Sequence, residues 1–150
     1  MKKIFILFLL IITSCGYQPI YKIDQIKDTL KVKEIKLSGD KTLSEKISKG
    51  LSIKIIKNNE SLNKLEVDSQ TNITETSKNS KGQVTSYRTT ITTIISIIDG
   101  NDNLVRKKNI SKQFSYNMLS KKFKLKEYQE EIENNLINQI IRDINIFLNF

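Results

Sequence analysis

Residues Val84 to Ile98 alternate between two faces without a break, and this constrains the fold more than any other stretch of the chain. The odd face reads Tyr87, Thr89, Ile91, Thr93, Ile95, Ile97; the even face reads Val84, Ser86, Arg88, Thr90, Thr92, Ile94, Ser96, Ile98. Period two over this length is a β-strand. At about 3.3 Å per residue it is roughly 50 Å long if unbroken, well beyond the usual strand. Asp99-Gly100-Asn101-Asp102 follows as a hairpin turn. Leu104 to Tyr116 returns as the next strand, with Leu104, Ile110, Phe114 and Tyr116 at even positions. On the other side, Leu65 to Ile73 puts Leu, Val, Ser, Thr and Ile at odd positions and Glu, Asp, Gln and Asn at even ones. That is a half-exposed strand. A turn over Lys78 to Gln83, containing Gly82, joins it to Val84–Ile98.

The flanking segments change period. A strand is expected near Leu30 to Leu37. Its apolar positions, Leu30, Val32, Ile35 and Leu37, shift phase by one residue in the middle, which indicates a bulge or a segment that is not a strand. Ser38-Gly39-Asp40 turns the chain, and a helix is expected over about 42 to 57. Thr42-Leu43-Ser44-Glu45 matches a capping box. Leu43, Ile47, Leu51 and Ile55 make one apolar stripe, bordered by Gly50, which suits close packing on a sheet. Asn58-Asn59 ends this helix. A second, long helix is expected over about Lys124 to Asn149, with Tyr128, Ile132, Leu136, Ile140, Ile144 and Phe147 or Leu148 on its apolar side. The order is then β-α-β-β-β-α. Two one-sided helices need a common apolar surface, so the expected fold is α+β: a two-layer sandwich with both helices on one face of a four-stranded sheet. The other face, rich in Thr and Ser and carrying Arg88, is left for water or for a partner.

The first residues have a different character. Met1-Lys2-Lys3 is followed by an unbroken apolar run, Ile4 to Ile12, then Thr13-Ser14-Cys15-Gly16. A basic start, a short apolar stretch and small residues before a cleavage point are the layout of a secretory signal. The apolar run is far short of the roughly 20 residues that span a bilayer. With Cys15 first after the cut, the segment resembles the lipobox of bacterial lipoproteins, whose cysteine is acylated and becomes the mature N-terminus. The chain therefore divides into a signal peptide, 1–14, a lipidated N-terminus and tether, 15–29, and a single domain, 30–150. One acyl chain holds a protein only marginally, at about 0.8 kcal/mol per buried methylene; the several chains the lipobox implies anchor it stably. An aspartate after the cysteine is associated with inner-membrane retention in many bacteria; Gly16 stands there instead, which favours a periplasm-facing location on the outer membrane.

Composition narrows the function. The chain has no histidine and one cysteine, and lipidation uses that thiol. Ser-His-Asp triads, Cys-His dyads and zinc sites built on His or Cys are excluded. Glu127, Glu130, Glu131 and Glu133 fall on the expected last helix rather than converging, and no glycine-rich phosphate loop occurs. No enzyme, cofactor or metal site is expected. The formal net charge of +9 falls to +7 when Lys2 and Lys3 leave with the signal. An exported chain has little access to nucleic acid, so the remaining anionic partners are phosphorylated lipids and acidic envelope polymers. A bias towards Lys, Ile and Asn is also what AT-rich coding produces without any partner.

Cys15-Gly16-Tyr17-Gln18-Pro19-Ile20-Tyr21 resembles the mature start of the lipopolysaccharide-assembly lipoprotein family LptE, in the form Cys-Gly-Tyr-x-Pro-Leu-Tyr, with Ile20 in place of leucine. Tyr128 to Ile144 resembles that family's last helix, and the element order agrees. The resemblance implies a non-enzymatic lipoprotein that sits in an LptD-like outer-membrane β-barrel, assists its assembly and binds lipopolysaccharide. Tyr17, Pro19 and Tyr21 are the candidates for partner docking. No family residue that contacts lipopolysaccharide aligns with this chain. The candidates drawn from the sequence itself are bases near turns and strand ends: Lys81, Arg88, Arg106, Lys107, Lys108, Lys121, Lys122 and Lys124, because Arg and Lys recognise phosphate. Each is also what a solvated base looks like. The alternative function is a stand-alone envelope lipoprotein that binds peptidoglycan or another periplasmic protein.

Overall fold

The computed structural model describes residues 30–149. The lipidation site Cys15 and the docking candidates Tyr17, Pro19 and Tyr21 lie outside the described residues. The elements are β1 (Leu30–Val32), β2 (Ile35–Gly39), α1 (Lys41–Lys49), β3 (Ile53–Ile55), β4 (Lys64–Lys78), β5 (Val84–Ile98), β6 (Leu104–Asn117) and α2 (Lys122–Leu148). The main sheet has the order β2-β4-β5-β6, and β1 and β3 form a second, two-stranded sheet. β2 runs parallel to β4, while β4, β5 and β6 are antiparallel neighbours. Helix α1 packs on β2 and β4, and α2 packs on β5 and β6. The expected α+β sandwich, with two helices on a four-stranded sheet, is therefore the observed architecture.

The alternation of β5 decides which face is covered. Thr89, Ile91, Thr93, Ile95 and Ile97 are buried, and the register aligns Ile97 with Leu65, Ile95 with Val67, and Thr93 with Ser69 and Ile110. Helix α2 lays Ile132, Leu136, Ile137, Ile140, Ile144 and Leu148 onto this face, and α1 adds Leu43 and Ile47. A polar contact at the centre of this face joins the Ser69 and Thr93 hydroxyls, 3.1 Å apart and buried. Burial of a hydroxyl is tolerable there because each satisfies the other.

Four local expectations are corrected. The strand expected over Leu30–Leu37 is two strands in two sheets. Its phase shift marks the break at Lys33-Glu34, where Lys33 N–H donates to Asn63 O and Leu65 N–H donates to Glu34 O. The first helix stops at Lys49 rather than near residue 57. Gly50 N–H and Leu51 N–H close the last turn with i→i+3 bonds to Ile47 O and Ser48 O, and the β-branched segment after it pairs as β3 with β1. Leu51 stays buried, but Ile55 is 48% exposed, so the apolar stripe ends one turn early. The N-cap is Asp40 rather than Thr42: Asp40 Oδ1 accepts from Leu43 N–H at 3.1 Å, which serves a donor that the helix itself leaves free. Gly50 does allow close packing, but against α2 instead of the sheet, since an added Cβ would press on the Ile141 side chain. Asn145 bridges the same junction, accepting from Ser52 N–H at 2.9 Å.

Strand β4 outruns helix α1. Every β4 residue from Gln70 to Lys78 is exposed, although its pairing with β5 continues to Lys78 opposite Val84. The paired arm thus projects beyond α1.

Candidate functional site

Register gives the sandwich two distinct ends. Lys64 lies opposite Ile98, and Ile98 opposite Leu104; the hydrogen bond from Lys33 to Asn63 brings the exit of β1 to this same end. It is the proximal end, where the described chain begins. Ser86 lies opposite Asn117, and Lys78 opposite Val84. The turn over 79–83, the end of β6 and the start of α2 therefore share the other, distal end.

This geometry sorts the basic candidates. Lys81, Arg88, Lys121, Lys122 and Lys124 fall in the distal half, and all are exposed. Arg106, Lys107 and Lys108 are on the proximal half of β6. At about 3.3 Å per residue, the eleven-residue step from Arg106 to the end of β6 is roughly 35 Å. The eight bases are therefore two groups rather than one site. They also differ in freedom. Arg106 donates from Nη2 to Phe147 O at 2.9 Å, and its guanidinium sits 4.3 Å from the centroid of the Phe147 ring. It satisfies a carbonyl in the last turn of α2, a structural role for that arginine. Lys108 approaches the same ring, at 5.6 Å. Lys107 is exposed on the uncovered face, opposite Ser96. Arg88 shares that uncovered face, where its Nε donates to Ser115 Oγ at 3.1 Å. The backbone at Lys81 is held by Asn79, whose Oδ1 accepts from Lys81 N–H and Gln83 N–H.

The uncovered sheet face is a lattice of short polar side chains. Asn72, Thr90 and Gln113 form one row across it, and Gln70, Thr92 and Ser111 the next. The Thr92 and Ser111 hydroxyls are 3.3 Å apart. Polarity increases towards the distal half; Ile94 and Ile98 occupy the proximal half of the same face.

The fold is shared with bacterial lipoproteins. Rare lipoprotein B of Shewanella oneidensis is 14% identical, and the alignment covers 78% of this chain and 99% of that one with a TM-score of 0.53. A minor lipoprotein of Acinetobacter baumannii is 17% identical over 81% of this chain and 92% of that one, with a TM-score of 0.60. Lipoprotein B of Nitrosomonas europaea is 13% identical over 80% and 88%, with a TM-score of 0.53. No family model matches the chain, and no curated protein matches it. At these identities the likeness is one of fold.

Chemistry-bearing groups stay apart. Among the described residues no three acids or other ligating groups are placed to hold a metal ion. The carboxyls of Glu45, Asp99 and Asp102 are held below their ordinary range, Glu45 by a hydrogen bond from Lys49, Asp99 by the backbone N–H of Asn103, and Asp102 by Lys64. That is the direction of ion pairs and turn bonds; a general acid at neutral pH needs the opposite shift. A groove of about 330 Å³ runs between β6 and α2, with Phe114, Tyr128, Ile132 and Leu136 forming its apolar floor and Glu131, Asn135 and Gln139 its polar rim.

Sequence reasoning missed one distal feature. Met118, Leu119 and Phe123 are 47%, 36% and 73% exposed, within a run that also holds Lys121, Lys122, Lys124 and Lys126. The signal was legible: apolar residues interleaved with lysines just where β6 stops and α2 starts.

Proposed function

We propose that the chain is a lipid-anchored outer-membrane lipoprotein, facing the periplasm, that docks in an LptD-like β-barrel and supports lipopolysaccharide assembly and export without covalent chemistry. The observation that carries this reading is the combination, in one chain, of a lipobox ending at Cys15 with a fold shared with lipoproteins over about four-fifths of its length. The Cys-Gly-Tyr-x-Pro start supplies the assignment to lipopolysaccharide assembly. The uncovered sheet face supports docking, because the interior of a large barrel is polar and hydrogen-bonding, and the distal half of this face is built mainly of Thr, Ser, Asn and Gln. Distal Lys81 and Arg88 supply cationic groups for phosphates.

Affinity purification from native membranes in gentle detergent should recover a large β-barrel with the chain. A preparation that carries no barrel, or carries cell-wall fragments instead, overturns the reading in favour of a stand-alone envelope lipoprotein. Changing Lys81 and Arg88 together to Glu should weaken lipopolysaccharide binding without unfolding the domain; unchanged binding at matched salt removes those two residues from the site.

A further inference from the structure

The connection from β6 to α2 combines three features in one exposed surface. The first is apolar area. Phe123 is the most exposed of the large hydrophobics among the described residues, and Met118 and Leu119 stand beside it in sequence. The second is charge. Residues 118–126 contain four lysines, Lys121, Lys122, Lys124 and Lys126, and no acid; all four lysines are exposed, and none makes an ion pair among the described residues. The third is rigidity. Met118 N–H donates to Thr85 O at 2.9 Å, and Leu125 N–H donates to Lys121 O at 3.0 Å, so both ends of the segment are fixed to regular structure. Exposed apolar side chains on a rigid base, interleaved in sequence with exposed lysines, are poorly matched to bulk water and well matched to a surface that is apolar within and anionic outside. The start of α2 adds to the mismatch. Its N-cap, Lys121, makes no side-chain cap bond, and its first turn has no acid, so lysines crowd the positive end of a helix dipole where an anion is favoured.

We propose that this distal segment is a membrane-docking element: Met118, Leu119 and Phe123 insert at the interface of an anionic phospholipid bilayer while Lys121, Lys122, Lys124 and Lys126 engage its headgroups. The proposal does not depend on a barrel partner. The described chain begins at the proximal end, roughly 50 Å of β5 away from this segment, and the fourteen residues between Cys15 and Leu30 reach at most about 50 Å, enough for an anchor at Cys15 and a docked distal segment to engage one bilayer together.

The chain has no tryptophan, so a single introduced one reports on its own surroundings. The full-length lipidated protein carrying Phe123→Trp, and separately Met118→Trp, is reconstituted in phosphatidylglycerol vesicles, in phosphatidylcholine vesicles and in phosphatidylcholine vesicles with added lipopolysaccharide. Circular dichroism confirms that each variant is folded. The expected result is a blue-shifted emission quenched by brominated lipid in phosphatidylglycerol vesicles, and weak quenching in phosphatidylcholine. Lys122→Glu and Lys124→Glu should each lower the docked fraction at least about fivefold, since a base near an anionic surface contributes on the order of 1 kcal/mol. Water-like emission at both positions in phosphatidylglycerol overturns the proposal. So does quenching that appears only with lipopolysaccharide, which would assign the segment to that amphiphile and leave the barrel reading intact.

Discussion

Replacing Gly50 with alanine tests the closest approach in the fold. Gly50 has φ −88° and ψ −3°, an ordinary right-handed conformation, so alanine carries no backbone strain there. By the unfolded-state argument alone the change should stabilise the domain by about 0.4–1 kcal/mol. Packing opposes this. The new Cβ would press on the tip of Ile141 and lie 3.1 Å from its Cγ1 and Cγ2 atoms, so the whole side chain, and not only its end, must give way. Overpacking of this kind costs about 1–3 kcal/mol. Ile141 is partly exposed and can swing outward, which places the cost in the lower half of that range. The Asn145 bridges to Ser52 N–H and Gly50 O resist a wider separation of the elements. The expected net effect is a loss of about 1 kcal/mol, measured by urea unfolding followed by circular dichroism. In an Ile141→Ala background the clash is gone, and the same substitution should gain about 0.5 kcal/mol, a coupling near 1.5 kcal/mol. If Gly50→Ala is neutral or stabilising in the native background, or costs the same in both backgrounds, the close approach of α1's end to α2 is not what limits this position.

Three further outcomes follow from local geometry. Asp40→Ala should cost about 1 kcal/mol by removing the N-cap, whereas Thr42→Ala should stay within about 0.5 kcal/mol; equal costs in unfolding experiments would restore the capping box at Thr42. Thr93→Val leaves the buried Ser69 hydroxyl without its partner and should cost about 1–3 kcal/mol, while Ser69→Ala with Thr93→Val recovers most of that; additive losses in the cycle would show that the two hydroxyls act independently. The Asp99 carboxylate accepts from Asn103 N–H at 2.8 Å and Asn101 N–H at 2.9 Å, so its folded pKa lies below the unfolded value. Its contribution to the turn is complete above the ordinary aspartate pKa and is lost as pH falls through the lowered one. The amide shifts of Asn101 and Asn103 should therefore titrate with a midpoint under about 3.9, and a midpoint at or above that value refutes the turn bonds.

Strand β5 and its turn into β6 were legible because alternation and turn chemistry agree at every residue from Val84 to Asp102. Helix α2 was legible because Ile132, Leu136, Ile140 and Ile144 keep one phase. The errors arose where a local pattern competed with pairing to a distant segment. Leu51 and Ile55 continue the four-residue spacing of Leu43 and Ile47, so a helix was expected through them. Parallel pairing of Ile53–Ile55 with Leu30–Val32 offers that segment a strand instead, and nothing near it in sequence announces the partner. β4 has the reverse problem. Thr74 to Ser77 carry no apolar side chain and fall between the strand expected to Ile73 and the turn expected from Lys78, yet hydrogen bonding to β5 keeps most of this stretch extended. Periodicity sees burial; it does not see a strand that is exposed on both faces.

The basic residues divide along the same hairpin. Arg106 to Lys108 stand near the start of the strand expected over Leu104 to Tyr116, and Lys121 to Lys124 follow its end. Extended pairing with β5 turns that interval into roughly 35 Å, more than one headgroup spans, and the carbonyl of Phe147 engages Arg106. A single phosphate-binding site therefore cannot use both groups at once. Lys107 and Lys122 are both exposed and far apart, so their charge reversals should act independently. Whatever anionic surface is used as the probe, the binding losses of Lys107→Glu and Lys122→Glu should add within about 0.5 kcal/mol. A double variant no weaker than the poorer single one would mean that one ligand bridges the two ends, and the separation imposed by the β5–β6 register would then have to be wrong.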